Sequence, residues 1–251
     1  KSTLSELDQI IYGFASMANT NYNGSYIYAG TNTKTTAFEA SLGNVEGADE
    51  PLITEVRYNG NITANKVEVD ENAFLTVDNG GSKTFWAEKQ RLISSRDASA
   101  WQAQEDSIIK VDNKEIRITA GDNLYSVIAK INESGAAVKA SVDPVSFGID
   151  LETTDAHQLW LEDKAGTVLN DLGIISDVSQ RPPYNMQTGV RLSGGSLFDA
   201  VIALRDAMLR GDNEAIGGRV LGSIDAGMGN LTARVAQLGS DYERAKNNIA
   251  R

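Results

Sequence analysis

The chain has 251 residues, 41% of them hydrophobic and 23% charged, the composition of a folded globular protein long enough for one large domain or two. Its 34 acidic residues against 23 basic ones give a formal charge of −11, which makes nucleic acid and anionic membrane surfaces poor partners. The absence of cysteine excludes disulfides and thiolate metal sites, and no apolar run reaches the ~18 residues of a membrane-spanning helix.

In chain order, Leu4, Leu7, Ile11, Phe14 and Ala18 step by three and four and predict a first helix over 1–18. Asn19 to Asn23 end it, Asn23-Gly24 marks a turn, and Tyr26-Ile27-Tyr28-Ala29 reads as a short strand closed by Gly30. A polar run from Thr31 to Thr36 follows, with Phe38 as its anchor, and residues 39–51 read as loop. Leu52 to Tyr58, Lys66 to Asp70 and Leu75 to Val77 alternate or are apolar, and Asn79-Gly80-Gly81 stops the last of them. Together they predict a small antiparallel β region. The stretch 83–106 stays open between short helical segments carrying Phe85, Trp86, Leu92, Ile93 and Trp101 and a polar connector.

Residues 107–175 form a unit of their own, of order ββαβββ. Ile108–Val111 and Glu115–Thr119 are strands joined at Asp112-Asn113. Gly121-Asp122-Asn123 caps a helix from Leu124 to Asn132 whose apolar face is Leu124, Val127, Ile128 and Ile131, and Gly135 closes it. Val138–Val142, Gly148–Thr153 and Gln158–Glu162 are further strands, and the apolar segment Val168–Ile175 ends the unit. Ser176 to Asn185 reads as a linker stiffened by Arg181-Pro182-Pro183. A third helix spans Ser196 to Arg210, with Ser196 as N-cap, Asp199 in its first turn and the stripe Leu197, Val201, Leu204, Met208. Gly211 stops it and Asp212 caps the last helix, Asn213–Arg251. There Leu221, Ile224, Met228, Leu231, Val235, Leu238, Tyr242, Ala245 and Ile249 alternate steps of three and four, a heptad seam facing a partner helix.

The expected fold class is α+β: an antiparallel helical rod with a β-rich insertion that contains a small α+β module. The expected domains are a helical core in two parts, 1–36 and 184–251, and an inserted domain, 37–183, with 107–175 nested in it. Neither terminal helix pattern is capped at the chain end, so both helices are expected to continue further and the chain to be a core fragment. The face of Leu231, Val235 and Leu238 is expected to pack on the first helix.

Residues able to carry chemistry are few. His157 is the only histidine; Asp155 and Asp163 stand near it in sequence, but a polar turn accounts for it more simply than a triad or zinc site. No phosphate-cradling glycine loop and no EF-hand spacing occurs. Gly217-Gly218, Gly227 and Gly229 fall inside the last helix, where glycine disfavours helix, so close packing or a bend is expected there. The acids Asp70-Glu71, Asp150, Glu152 and Asp155 read as a solvated face, and the sequons at Asn61 and Asn230 are too short to be informative. No catalytic residue, metal ligand or cofactor is expected. Tyr22, Tyr26, Tyr28 and Tyr58 cluster where the first helix meets the β region, either as an interface or as cover for that join.

Five stretches carry a resemblance to known families. Ala18-Asn19-Thr20-Asn21-Tyr22-Asn23-Gly24-Ser25-Tyr26-Ile27-Tyr28-Ala29-Gly30 resembles a signature of bacterial flagellin-related proteins, and most nearly that of hook-associated protein 3, the hook–filament junction family. Val56 to Asn61 and Gly195 to Asp206 are similar to that family's strand-turn and helix motifs, as Asp212 to Gly239 is to its return helix, and Gly121 to Val142 resembles a module inserted in flagellins and filament-cap proteins. The resemblance implies a non-enzymatic adaptor that joins the hook-side junction protein (hook-associated protein 1) to flagellin and self-associates in a ring. It also implies an export chaperone, secretion through the flagellar type III channel, and an extracellular place on the flagellum, or a periplasmic one in a spirochaete. The interface residues expected on this reading are Leu231, Val235, Leu238, Tyr242, Tyr26 and Tyr28. The alternatives are a flagellin filament subunit, a helical-stalk adhesin, and an enzyme or ligand module in 107–175.

Overall fold

The computed structural model describes residues 2–70, 73–77, 80–176, 182 and 184–249. Helix α1 (Ser2–Ala18) buries Ile11 and Ala18 and partly covers Leu7 and Phe14, positions selected by three-and-four spacing, and buries Ala15 beside them. Asn19 ties its end to the next layer: its side-chain amide donates to the carbonyl of Phe38 (2.7 Å) and accepts from the N–H of Phe38 (2.8 Å). Strands β1 (Asn21–Tyr22) and β2 (Ser25–Tyr26) form a hairpin about Asn23-Gly24. The strand expected over Tyr26–Ala29 stops at Tyr26, because the Ala29 N–H turns back to the Tyr26 carbonyl.

Strands β3 (Phe38–Gly43) and β4 (Leu52–Tyr58) pair antiparallel with Phe38 opposite Tyr58, so the expected loop over 39–51 begins with a strand. The register shifts between Ser41 and Leu42. Strict alternation would put Ile53 on the opposite face from Val56 and Tyr58, yet all three are buried; the bulge on this pair supplies the extra residue that allows it. β5 (Asn65–Asp70) and β6 (Ala73–Val77) form a second hairpin, followed by the single turn α2 (Gly81–Thr84). Glu71 and Asn79, both singled out in the sequence, lie outside the described residues.

The stretch left open in the sequence supplies β7 (Arg91–Ile93). Then come β8 (Ser107–Val111), β9 (Lys114–Ile118), α3 (Leu124–Glu133), β10 (Val138–Val142), β11 (Ile149–Thr153), β12 (Leu161–Ala165), the short α4 (Val168–Asp171) and β13 (Arg191–Ser193). They make two antiparallel sheets, β12-β8-β9 and β10-β11-β7-β13. The Asn123 carboxamide caps α3 by accepting from the Ser126 N–H (3.0 Å), and Leu124, Val127 and Ile131 enter a core with Leu92, Ile109, Ile118 and Leu151. Asn132 pairs with both backbone groups of Ala140, covering the outer edge of β10. Most of the expected linker, 177–181 and 183, lies outside the described residues; its two ends are stitched together, with the Ser176 N–H on the Asn185 carbonyl at 2.8 Å.

Helix α5 (Leu197–Arg210) opens on a capping box. The Ser196 hydroxyl accepts from the Asp199 N–H, and the Asp199 carboxylate accepts from the Ser196 N–H. Gly211, in the left-handed region at φ 67, ends the helix, and Asp212 caps the short α6 (Asn213–Ala215). A kink over Ile216–Val220, where Gly218 leaves the helical region, leads into α7 (Leu221–Ile249). The single last helix expected from the sequence is therefore broken near its start.

The chain divides into two compact units, Lys1–Glu88 with Gly195–Arg251, and Lys89–Gly194. These boundaries differ from the expected 36/37 and 183/184 for a physical reason. Phe38 lies 5.1 Å from Tyr58, 5.3 Å from Phe85 and 5.0 Å from Phe198, ring centre to ring centre, and these rings share a core with Ile11 of α1. Residues 37–88 therefore belong with the helices. At the other boundary β13 pairs with β7, which places 184–194 in the second unit.

Candidate assembly interface

In the first unit α5 packs against α1 and also against α7. Arg205 on α5 is 0% exposed at its side chain and pairs with Asp8 of α1 (2.7 Å) and with Asp206 (2.8 Å). A guanidinium at full burial requires such charged partners.

Helix α7 presents two stripes. One is the heptad seam. Leu221, Met228, Val235 and Tyr242 recur every seven residues and are exposed; Val235 is 62% exposed, Leu238 39% and Tyr242 68%, while Leu231 is half-buried. The other stripe holds α7 to its own unit. The Ser223 hydroxyl bonds Glu88, the Asn230 amide donates to the carbonyls of Lys83 (3.1 Å) and Trp86 (2.7 Å), and a Cβ on Gly227 would lie 2.7 Å from Leu197 and 3.1 Å from Ala87. The expectation that Leu231, Val235 and Leu238 pack on the first helix is thus corrected. Small and polar residues let backbone approach backbone on the docked side, and the apolar seam stays open to solvent.

The close packing expected at Gly227 is found here, while sequence reasoning missed Ser223 and the docking role of Asn230, although the three step by four and three. Of the expected interface residues, Leu231, Val235, Leu238 and Tyr242 belong to this one helix. Tyr26 and Tyr28 belong to the first hairpin and the turn after it, half-buried against the aromatic core, with the Tyr28 ring edge-on to Phe85 at 5.0 Å.

The second unit holds the other charged constellation. His157 is 3% exposed, with Nδ1 at 2.8 Å from Asp155 and Nε2 at 3.0 Å from Asp112. Burial opposes the imidazolium, but the two carboxylates outweigh it and hold its pKa at about 9. With both ring nitrogens engaged by carboxylates, it is a charged clamp rather than a free base. It joins the β8–β9 turn to the segment before β12, since Asp112 also accepts from the Trp160 N–H. Asp163 caps α4 through the N–H groups of Leu169 and Asn170, and Asp150 is gripped by the fork of Arg91. Of the acids expected to form a solvated face, Asp150 and Asp155 are paired, while Glu152 is exposed. Among the described residues no three His, Cys, Asp or Glu side chains are grouped to hold a metal ion, and no helix is long and apolar enough to cross a membrane.

No curated protein matches the chain in sequence. Among solved structures it is similar to flagellar hook associated protein-3 from Legionella pneumophila, at 15% identity over 98% of this chain and 75% of that one, with a TM-score of 0.46. Flagellar junction protein FlgL from Xanthomonas campestris gives 13% identity, 99% and 77% coverage and a TM-score of 0.40. The D2-D3 domains of the flagellar cap protein FliD from Escherichia coli give 18%, 64% and 74%, and 0.35. The match in sequence is local and specific: residues 106–155, which here fold as β8, β9, α3, β10 and β11, match the flagellin hook IN motif.

Proposed function

We propose that this chain is a structural subunit of the bacterial flagellum, an adaptor between the hook-side junction protein and the first flagellins of the filament. The observation that carries this reading is the match of residues 106–155 to the flagellin hook IN motif. The resemblance of Ala18–Gly30 and Gly195–Asp206 to the hook–filament junction family supports it from the other unit. The open heptad seam supplies the physical means: an apolar stripe on a long helix recognises another helix by knobs-into-holes packing. Leu231, Val235, Leu238 and Tyr242 are the contact residues on this reading, with Tyr26 and Tyr28 as a second surface. Ring self-association, an export chaperone and secretion through the flagellar type III channel complete the reading. The role is mechanical, without catalysis or cofactor.

The test is replacement of the native gene by one encoding Val235→Asp. Because the side chain is exposed in the isolated chain, its melting temperature should stay within about 2 °C of the parent. Swimming and retention of filaments on hooks should be lost. Full motility with Val235→Asp would overturn the assignment of the seam.

A further inference from the structure

Helix α7 leaves its unit through a defect. In the kink over Ile216–Val220, Gly218 sits at φ −108 and ψ −105, outside the helical region. Helix bends have identifiable causes, and glycine pairs are among them. A Cβ on Gly217 or Gly218 would meet nothing within 4 Å, so crowding does not require glycine at either place. What the pair provides is backbone freedom. On the near side the chain is fixed: Gly211 ends α5 and Asp212 caps α6 by accepting from the Ala215 N–H. On the far side α7 packs on α5 and β5, and its specific ties are two hydrogen-bonding side chains, Ser223 and Asn230, and a close contact at Gly227. Past it, residues 235–240 are exposed.

We propose that α7 is a hinged arm that pivots at Gly217-Gly218 and is latched by Ser223 on Glu88 and by Asn230 on the carbonyls of Lys83 and Trp86, with Gly227 seated over Ala87. Water can replace the hydrogen bonds of Ser223 and Asn230, and none of the described α7 residues belongs to the Phe38–Phe85–Phe198 core, so opening uncovers Leu197 and Ala87 but leaves that core closed. Twenty-nine residues of helix at ~1.5 Å each make an arm of about 43 Å, and a rotation of about 20° moves its tip by about 15 Å. The apolar seam is thereby re-aimed as one rigid bar while α1 and α5 stay packed. This device is a property of the isolated chain and stands whether or not the flagellar reading does.

The chain has no cysteine, so spin labels at Ser16→Cys on α1 and Gln237→Cys on α7 are specific. Pulsed electron–electron double resonance on this pair should give one dominant distance in the parent. Gly227→Leu with Asn230→Ala should add a second population displaced by about 10–15 Å, and adding Gly217→Ala and Gly218→Ala should narrow or remove it. A reference pair, Ser16→Cys with Arg210→Cys on α5, should keep its distance throughout. The proposal is overturned if the latch variants leave the Ser16–Gln237 distance unmoved. It is equally overturned if the paired alanines change nothing, or if the reference distance broadens with the arm, since α7 would then be integral to the core.

Discussion

At His157 burial and charge oppose each other, and charge wins. A pKa of about 9 in the folded chain, against about 6.5 unfolded, means the clamp stabilises the fold fully below pH 6.5. That contribution fades as pH rises through 9 and totals about 2–3 kcal/mol. His157→Gln should therefore cost most near pH 6 and least near pH 9.5, as read by urea denaturation at several pH values; a difference that stays flat with pH would contradict the clamp. Arg205 carries the same lesson in the first unit. Asp8→Ala leaves a fully buried guanidinium with Asp206 alone, and should destabilise by about 2–4 kcal/mol. Neither pair was legible in the sequence. Asp112 and His157 stand 45 residues apart, and Asp8 and Arg205 stand 197 apart, so only the tertiary fold brings the charges together.

Elements were legible where local chemistry decides them. Ser196, Asp199, Gly211 and Asp212 mark the ends of α5 and α6, and Asn123 marks the start of α3, because caps act within one turn. Ser196→Ala should cost about 1 kcal/mol of stability, measurable as a lower urea midpoint with unchanged slope. Strand β3 was missed although Phe38, Ala40 and Leu42 alternate with Glu39 and Ser41, because the glycines, acids and proline that follow up to Pro51 read as loop; its pairing is justified by Phe38 facing Tyr58, a contact 20 residues away. For α7 the period was read correctly and its meaning was not. A heptad shows that a helix has an apolar face, but not whether the partner lies in the same chain. The intramolecular face is instead the inconspicuous Ser223, Gly227, Asn230 stripe, whose value lies in closeness and hydrogen bonds rather than burial of apolar area.

For the whole molecule, the expected α+β class is what the structure contains, and the unit boundaries moved to where strands and rings close on themselves, since β10 and β11 share their sheet with β7 and β13. In the second unit the first and last strands are neighbours, with Ile93 paired to Arg191. Residues 89–194 excised as a fragment should therefore fold alone and melt cooperatively in calorimetry; a broad, non-cooperative transition would contradict the division. The flagellin hook IN motif lies wholly within this unit, while the helix seam belongs to the other. The proposed role is that of an adaptor in an assembly. The measurement that tests it most directly is immunogold electron microscopy on intact cells with an antibody raised against this chain. A single band of label where hook meets filament is the predicted result. Label along the whole filament would make the chain a filament subunit instead, and flagella without any label would contradict the account.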